Sequence, residues 1–337
     1  MSLSRRCFIQ QASVVSFSSL VFPGQALPSK DPLASARPLR FGVIADVHKD
    51  IMHDADERLS AFIDAATRES VDFIIQLGDF CVPKDANRGF LDIWKRWQGP
   101  AYHVLGNHDT DGGYTREQAA LYLGMPSTYY SFDQGDFHIV VLDGNDRPAD
   151  HVSGYPRYID TKQQAWLRED LASTTRSTLV MVHQSLERAD DGGVQNGAII
   201  RSILEEANLA AGYQKVLACF SGHHHRDYLR QIQGIAYPQI NSASYFWVGG
   251  DHQHVRYGQE VDNKYPWIKY TVPYKEALYA MVQVDPVRRT LTIEGRESEM
   301  VGPAPWDLGK TPEAWDAATL RASISDQHVS LPSAPVD

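Results

Sequence analysis

Short apolar runs alternate along the chain with segments whose apolar residues recur at helical spacing. In residues 57–70, for example, Leu59, Phe62 and Ala66 lie on one face of a helix. Short apolar runs that stop at turn-forming residues predict buried strands. The predicted strands are residues 39–45, 73–77, 101–105, 178–182 and 215–220, and the predicted helices are residues 57–70, 89–97 and 161–171. This alternation of strands and helices predicts an α/β fold.

Two pairs of apolar segments are separated by turn residues and predict β-hairpins. One pairs residues 129–133 with 137–143, and the other pairs residues 277–284 with 290–294. The flanks of this region are different, because they are rich in proline and weakly patterned. The pattern therefore predicts one large domain at residues 39–300, a linker at residues 27–38 and a C-terminal strap or tail at residues 301–337.

The beginning of the chain has the composition of an export signal. Arg5 and Arg6 precede an apolar, serine-rich stretch at residues 12–22, and small residues follow up to Ala26. This order predicts a signal peptide of the twin-arginine type over residues 1–26, and hence an exported, periplasmic bacterial protein. The apolar stretch is shorter than the ~20 residues that a stable membrane span needs. A disordered basic tail, or a membrane anchor that is not cleaved, are the alternatives.

Residue types that bind metal ions follow directly after five of the predicted strands. They are Asp46 and His48, Asp79, Asn107, His183, and the pair His223 and His225. Ligands of open α/β sheets bind beyond the carboxyl ends of the strands, so five such strand ends predict one convergent site. Polar residues of this kind also favour ordinary turns at strand ends. That explanation suffices for any one position, but it does not account for all five in order.

The seven side chains favour transition metals over calcium. Two carboxylates, four imidazoles and one amide oxygen are suited to Mn, Fe or Zn. A single zinc ion needs only four ligands. Seven donors, with one aspartate shared, complete a pair of ions about 3.5–4 Å apart, which is the spacing of two-metal phosphatase sites. The predicted cofactors are therefore two divalent or mixed-valence transition-metal ions.

The ordered motifs between residues 39 and 226 resemble the five-part signature of the calcineurin-like metallophosphoesterases. The motifs are Asp46-x-His48, Gly78-Asp79, Gly106-Asn107-His108-Asp109, a single His183, and Gly222-His223-His224-His225. The resemblance implies a catalytic domain built as a four-layer sandwich, with two mixed β-sheets flanked by helices. It also implies one metal held by Asp46, His48, Asp79 and His225, and a second held by Asp79, Asn107, His183 and His223, with Asp79 as the bridge.

The resemblance further implies hydrolysis of phosphate esters by a metal-bridging hydroxide that attacks phosphorus in line. His108 is similar to the imidazole with which this family protonates the leaving oxygen or stabilises the transition state. Asp109 is expected to orient His108, as carboxylates commonly orient imidazoles. Both residues are therefore predicted to be catalytic and not metal ligands. The alternative is that His108 is a structural histidine with no role in proton transfer.

Departures from one related subclass narrow the expected substrate. Purple acid phosphatases resemble this chain less, since they carry a glycine in place of His48 and a tyrosine ligand in place of Val82. The chain is more similar to the bacterial branch that includes cyclic-nucleotide phosphodiesterases and nucleotide diphosphatases, which implies a nucleotide-like small ester. A phosphate-scavenging phosphomonoesterase is the enzymatic alternative. A catalytically inactive interaction scaffold of the same fold is the alternative from a different class.

The acidic composition limits the expected partners. The 337 residues include 42 acidic and 32 basic side chains, which gives a formal net charge of −10. Nucleic-acid polymers are bound through clusters of lysine and arginine, and the sequence has no such run. A metal pair still provides a positive spot for a small phosphate ester, which is the expected partner. No stable membrane span is expected, and the sequence makes no prediction of oligomeric state.

Overall fold

The computed structural model describes residues 31–308 and 318–335. The predicted signal peptide at residues 1–26 lies outside the described residues. The strands in the described ranges are β1 (Leu39–Ile44), β2 (Phe73–Gln76), β3 (Ala101–His103), β4 (Tyr130–Gln134), β5 (Phe137–Val141), β6 (Ser177–Met181), β7 (Val216–Phe220), β8 (Tyr228–Ile232), β9 (Ile235–Gln239), β10 (Tyr245–Trp247), β11 (Thr271–Pro273), β12 (Ala280–Asp285), β13 (Thr290–Glu294), β14 (Arg296–Glu297), β15 (Ser323–Ile324) and β16 (Gln327–Ser330). The α-helices there are α1 (Ala55–Glu69), α2 (Arg88–Trp94), α3 (Arg116–Leu123), α4 (Thr161–Ser173), α5 (Gly197–Ala211) and α6 (Gln259–Lys264).

Two six-stranded mixed sheets form the centre of the fold. The first has the order β16-β13-β12-β1-β2-β3, in which β1, β2 and β3 are parallel and the other neighbours are antiparallel. The second has the order β4-β5-β6-β7-β9-β8, with four parallel strands in the middle and an antiparallel strand at each edge. Within each sheet, the carboxyl ends of the parallel strands therefore lie side by side.

Side chains that alternate along the strands explain why the sheets stack face to face. In β1, Phe41 belongs to the core between the two sheets, whereas Ile44 packs with the residues of α1. In β6, Leu179 faces the same central core, whereas Val180 packs with residues of α4 and α5. The layers are thus α1 and α2, the first sheet, the second sheet, and then α4 and α5. The predicted four-layer sandwich of two mixed sheets flanked by helices is confirmed.

Two segments expected to lie outside the domain pack against it. In the expected linker, Leu33 is fully buried in the core between the sheets, and Asp31 forms an ion pair with Arg289 at 2.6 Å. In the expected C-terminal strap or tail, β16 pairs with β13 at the edge of the first sheet, and Leu320 is buried in the same core. The folded unit therefore extends beyond residues 39–300 at both ends.

Two smaller features concern the cysteines and the helices. Cys81 and Cys219 are both buried and form no disulfide with each other. Cys219 packs between the second sheet and its helices, as a small apolar side chain would. Among the described residues, none of the helices combines the length and apolar character that crossing a membrane would require.

His138, on β5, lies between two carboxylates and should make stability depend on pH. Its Nδ1 is 2.8 Å from Asp133 and its Nε2 is 2.9 Å from Asp170. Burial disfavours the charged imidazole, but the two carboxylates outweigh burial, so the pKa of His138 lies above its ordinary value. The resulting stabilisation is fully present below the unfolded-state pKa of about 6.5 and is lost as pH rises through the folded-state pKa.

We therefore expect the variant His138→Gln to lose more stability in mildly acidic than in alkaline solution. The difference in the free energy of unfolding between variant and wild type should be larger near pH 6 than near pH 9 by about 1 kcal/mol. The effect is no larger than this because partial exposure of the carboxylate partners weakens the ion pairs. Chemical denaturation of both proteins at the two pH values measures it. A difference that does not change with pH would contradict the assignment of a charged, ion-paired His138.

Candidate metal centre

Parallel strands deliver the candidate ligands to one place. Strands β1, β2 and β3 end at one edge of the first sheet, and β6 and β7 end at the facing edge of the second. Two groups of three donor residues result, and within each group the ligand atoms lie within 4.8 Å of one another. One group is Asp46, His48 and His225, and the other is Asp79, His183 and His223. The structure therefore brings six of the seven predicted ligands into two adjacent groups of three.

Asp79 lies between the two groups. Its Oδ2 is 3.2 Å from Nε2 of His183 and 3.7 Å from Nε2 of His48, which belong to different groups. This is the position that a bridging carboxylate would take. In the first group, Oδ1 of Asp46 is 3.2 Å from Nε2 of His225. All five side chains are buried, so without a cation their polar atoms would face one another with little access to water.

Asn107, the seventh predicted ligand, provides an independent test of whether a metal fits. Its side chain is buried, and its Oδ1 has no hydrogen-bond partner among the described residues. A buried carbonyl oxygen without a partner costs about 1–3 kcal/mol of folding stability. It follows Gly106 at the end of the third parallel strand, beside Asp79. A buried, unpartnered amide oxygen on the loop that contacts Asp79 fits a metal ligand of the predicted kind.

Two of the candidate ligands, His183 and His225, are oriented by a hydrogen bond at Nδ1, so that Nε2 faces the carboxylates of the site. Nδ1 of His183 is 2.7 Å from the carbonyl oxygen of Leu77, and Nδ1 of His225 is 2.7 Å from the carbonyl oxygen of Tyr245. Each Nδ1 carries the donated proton, so the lone pair of the neutral ring is on Nε2. Metal-binding histidines are commonly held in this way.

Burial and local charges set the protonation states of the candidate metal ligands, which together are called the cluster. Burial lowers the pKa of His48 and of His223 far below the ordinary histidine value. Burial alone would raise the pKa of Asp79, but the imidazoles of His183 and His108 outweigh it, so that pKa lies well below its ordinary value. Against burial, the charge of Asp79 raises the pKa of His183 to about 9. Since metals bind neutral imidazoles, binding at His183 would release a proton at neutral pH.

Backbone strain is concentrated at the same residues. Five candidate ligands adopt the left-handed conformation, in which non-glycine residues are uncommon. They are Asp46 with φ 53°, His48 with φ 52°, Asp79 with φ 52°, His223 with φ 74° and His225 with φ 50°. Strained conformations persist where the surroundings over-determine them, and they cluster at active sites and ligand clamps. The concentration of strain therefore marks this edge of the sheets as a functional site.

Two glycines allow the backbone to come this close to the ligands. Gly78 has φ +99°, and a Cβ at this position would lie 2.5 Å from Nδ1 of His183. A Cβ on Gly222 would lie 2.5 Å from Oδ2 of Asp46. Side chains at either position would displace a ligand, which explains the physical need for glycine in the motifs before Asp79 and His223.

The expected pairing of Asp109 with His108 is wrong. The Asp109 carboxylate is fully buried and accepts hydrogen bonds from backbone N–H groups. The donors are the amides of Asp79, Phe80, Cys81 and Gly106. Asp109 therefore fixes the loops that carry Asp79 and Asn107 and does not orient the imidazole.

His108 is instead paired with a residue that the sequence reasoning missed. Its Nδ1 is 2.7 Å from Oδ2 of Asp111, and the hydroxyl of Tyr155 is 2.6 Å from Oδ1 of Asp111. The reason is local geometry, because residues 108–110 form a 3₁₀ turn in which side chains three apart lie on the same side. Burial opposes a charged His108, but Asp79 and Asp111 outweigh it and raise the pKa of His108 to about 9.

A cleft of about 850 Å³ opens over the cluster. One part of its wall is aromatic and includes Tyr245, Phe246, Trp247 and Trp267. The exposed fractions of Trp247 and Trp267 are 43% and 57%, which is high for side chains of this size. Neither the aromatic wall nor Tyr155 could be found from strand ends, because these residues come from loops and from a short strand pair away from the motifs.

Comparison with known proteins places the chain in a family. The sequence model of the calcineurin-like phosphoesterases matches residues 39–227, which is more than half of the chain. The chain belongs to the calcineurin-like phosphoesterase family. Both the family resemblance of the motifs and the predicted enzyme class, a metal-dependent hydrolase of phosphate esters, are thereby confirmed.

Two relatives of this phosphoesterase are described as manganese-dependent ADP-ribose/CDP-alcohol diphosphatases. The protein from Arabidopsis thaliana is 25% identical, and the match covers 62% of this chain and 88% of the relative. The protein from Oryza sativa subsp. japonica is 26% identical, and the match covers 59% and 79%. Together with the two groups of donors, these relatives support a dinuclear site for divalent metals.

A solved structure confirms the fold. A dimetal phosphatase from Danio rerio superposes with a TM-score of 0.55 at 16% sequence identity. The superposition covers 78% of this chain and 98% of that protein. At this identity the likeness concerns the fold of the phosphoesterase alone.

Proposed function

We propose that this phosphoesterase hydrolyses the diphosphate bond of nucleoside diphosphate derivatives, of the type represented by ADP-ribose and CDP-alcohols. The observation that carries the proposal is the match to the two diphosphatases over 88% and 79% of their lengths. The cleft is suited to such a substrate, because it runs from the candidate metal ligands to exposed aromatic side chains. A diphosphate would lie at the cluster while the base stacks on an aromatic ring.

We also propose manganese as the metal, in line with the names of the relatives. Asp46, His48, Asp79 and His225 would hold one ion, and Asp79, Asn107, His183 and His223 would hold the other. Divalent cations held there supply Lewis acidity toward a phosphate ester and its attacking water. The mixed set of imidazoles and oxygen donors suits manganese, iron or zinc.

His108 is proposed to donate a proton to the leaving oxygen. Its backbone N–H donates to Oδ1 of Asp79 at 2.7 Å, which fixes the residue beside the expected metal bridge. Its Nδ1 is committed to Asp111, and its Nε2 has no hydrogen-bond partner among the described residues. The ring also lines the cleft, so Nε2 is the atom available to a substrate.

A substrate panel tests the proposed activity. The manganese-loaded protein should hydrolyse ADP-ribose and a CDP-alcohol faster than AMP or p-nitrophenyl phosphate, as measured by phosphorus NMR of the products. Faster turnover of the monoesters would favour the phosphomonoesterase alternative. Absence of turnover with manganese, iron and zinc would favour the inactive scaffold.

Trp247 should contribute to binding of the base. We expect Trp247→Ala to raise KM for ADP-ribose about fivefold or more, because stacking of a base on an aromatic ring contributes about 1–3 kcal/mol. The KM for bis(p-nitrophenyl) phosphate, which has no base, should change less. Trp306→Ala is the matched control, since Trp306 is 42% exposed but does not line the cleft. Equal effects of the two substitutions on KM for ADP-ribose would contradict a base-binding role for Trp247.

Export through the twin-arginine route is proposed from the sequence of residues 1–26. A fusion of these residues to a reporter should reach the periplasm of a bacterial host, and replacing Arg5 and Arg6 by lysines should retain it in the cytoplasm. Export that is unaffected by the two lysines would indicate another route.

A further inference from the structure

We infer that Asp111 and Tyr155 are the positioning residues of His108, taking the role that the sequence motif suggests for Asp109. This inference rests on the proposed proton-donor role of His108 and extends it to the residues that hold the ring. Three contacts carry it. Nδ1 of His108 is 2.7 Å from Oδ2 of Asp111, Oδ1 of Asp111 is 2.6 Å from the hydroxyl of Tyr155, and that hydroxyl is 3.2 Å from Nδ1.

One set of protons satisfies all three contacts, with the Tyr155 hydroxyl oxygen accepting weakly from the His108 Nδ1–H at 3.2 Å. The Tyr155 hydroxyl donates to Oδ1 of Asp111, and Nδ1–H of His108 donates to Oδ2 of the same carboxylate. Asp111 therefore accepts from both partners, and the proton on His108 Nδ1 is fixed. A second proton on the ring can then reside only on Nε2, the nitrogen available to the cleft. Fixing the tautomer in this way is what a general acid requires.

No other carboxylate in residues 31–308 and 318–335 takes this place. Asp109 is fully buried and committed to four backbone amides, so it cannot turn toward the ring without breaking them. Asp79 faces the metal ligands and meets His108 through the backbone N–H, not through the imidazole. Asp111 is the C-cap of the 3₁₀ turn that begins at His108, and its own N–H donates to the His108 carbonyl at 3.2 Å.

The backbone that follows Tyr155 is hydrogen-bonded to two other segments of the domain. Tyr158 donates its N–H to the carbonyl of Gly144 at 2.8 Å, and its carbonyl accepts from the N–H of Asp146 at 3.0 Å. Arg157 donates to the carbonyl of Gly193 at 2.6 Å. The tyrosine ring packs on the imidazole, with ring centroids 4.8 Å apart. Tyr155 therefore packs against the His108 ring and is hydrogen-bonded to Asp111 through its hydroxyl.

The test uses metal-loaded protein and phosphate diesters whose leaving groups range from p-nitrophenol to phenol. Phenol is the poorer leaving group and needs the proton more. We expect Asp111→Ala to lower kcat for phenyl esters by about 10–100-fold, as loss of an orienting partner commonly does, with KM little changed. The loss should be much smaller for p-nitrophenyl esters, and Tyr155→Phe should show the same trend with a smaller loss.

A second background separates positioning from a general structural role. In His108→Gln, the further change Asp111→Ala should lower kcat by no more than about twofold, because Asp111 acts through His108. Asp191→Ala is the matched control: it also removes a carboxylate that lines the cleft, but Asp191 pairs with Arg188 and not with His108. It should leave the dependence on the leaving group unchanged.

A spectroscopic readout does not depend on turnover. In zinc-loaded protein, the Nδ1–H proton of His108 should give a low-field NMR signal that disappears in Asp111→Ala and persists in Asp191→Ala. The inference is overturned if that signal survives in Asp111→Ala, or if Asp111→Ala is as damaging in the His108→Gln background as in wild type. If His108→Gln itself leaves the leaving-group dependence unchanged, the proton-donor role fails and the inference fails with it.

Discussion

Replacing Asp79 by asparagine should lower kcat for any phosphate ester by about 10²–10⁴-fold, because losing a metal ion removes several kcal/mol of charge stabilisation in the transition state. The Asp79 carboxylate lies between the two groups of donors, with Oδ2 at 3.2 Å from His183 and 3.7 Å from His48. An amide removes the negative charge that would be shared by two cations, and its NH₂ group cannot act as a ligand. Elemental analysis of the purified variant should therefore show fewer than two bound metal ions per chain.

The variant should still fold, which keeps the interpretation clear. An asparagine retains the volume of Asp79, and its Oδ1 can keep accepting from the His108 N–H, a contact of 2.7 Å. Asp143→Asn is the matched control, because Asp143 is equally buried at the end of β5 but pairs with Arg116 at 2.6 Å. We expect this control to lose stability while binding two metals. Full metal content and activity in Asp79→Asn would show that Asp79 is not the bridge.

The placement of the ligands was predictable because it follows from strand ends. Each candidate ligand comes after an apolar run that contains a strand, and the carboxyl ends of parallel strands meet at one edge. Asp46, Asp79 and His183 illustrate this, since they follow β1, β2 and β6 within a few residues. The hydrophobic pattern thus predicts the α/β class and the location of the site, whereas the four layers of the fold were implied by the family resemblance.

The partner of His108 was not predictable in the same way. The motif presents Asp109 as the neighbour of His108, but adjacency in sequence does not decide which way a side chain points. The 3₁₀ turn at residues 108–110 places Asp111 beside the ring and directs Asp109 into the backbone amides of the loop after β2. Tyr155 comes from a segment without periodic spacing, so no sequence pattern connects it to the site.

The elements that the sequence reasoning missed had signals of different strength. Helix α5 buries Ile200, Ile203 and Leu204, whose spacing is helical, so it was detectable in the sequence. Strand β16 was not, because it is an edge strand of four residues in which only Val329 is buried. The sequence of a short, polar edge strand cannot be distinguished from that of a loop until its partner strand, here β13, is known.

Removal of the metals should lower the thermal stability of the protein, which is the second large effect that we expect. The cluster holds two buried carboxylates, Asp46 and Asp79, and the unpartnered oxygen of Asn107. A ligand that binds only the folded state stabilises it by about 4 kcal/mol at a thousandfold excess over its Kd. For a chain of 337 residues, an unfolding entropy of about 2.1 cal/mol/K per residue means that 1 kcal/mol shifts Tm by roughly 1.4 °C. Chelation should therefore lower Tm by about 6 °C for each ion that is lost.

Thermal denaturation with a chelator and then with increasing Mn²⁺ measures this effect. The Tm should rise with metal concentration, because the stabilisation depends on ligand excess and not on a fixed change in the protein. The same titration of Asp79→Asn should give a smaller rise, since that variant lacks the shared carboxylate, whereas Asp143→Asn should start lower and rise by the same amount as wild type. A Tm that stays constant while elemental analysis shows the metal leaving would mean that the buried cluster is satisfied without cations. In that case the unpartnered Asn107 oxygen and the strained backbone at Asp46 and Asp79 would need another explanation.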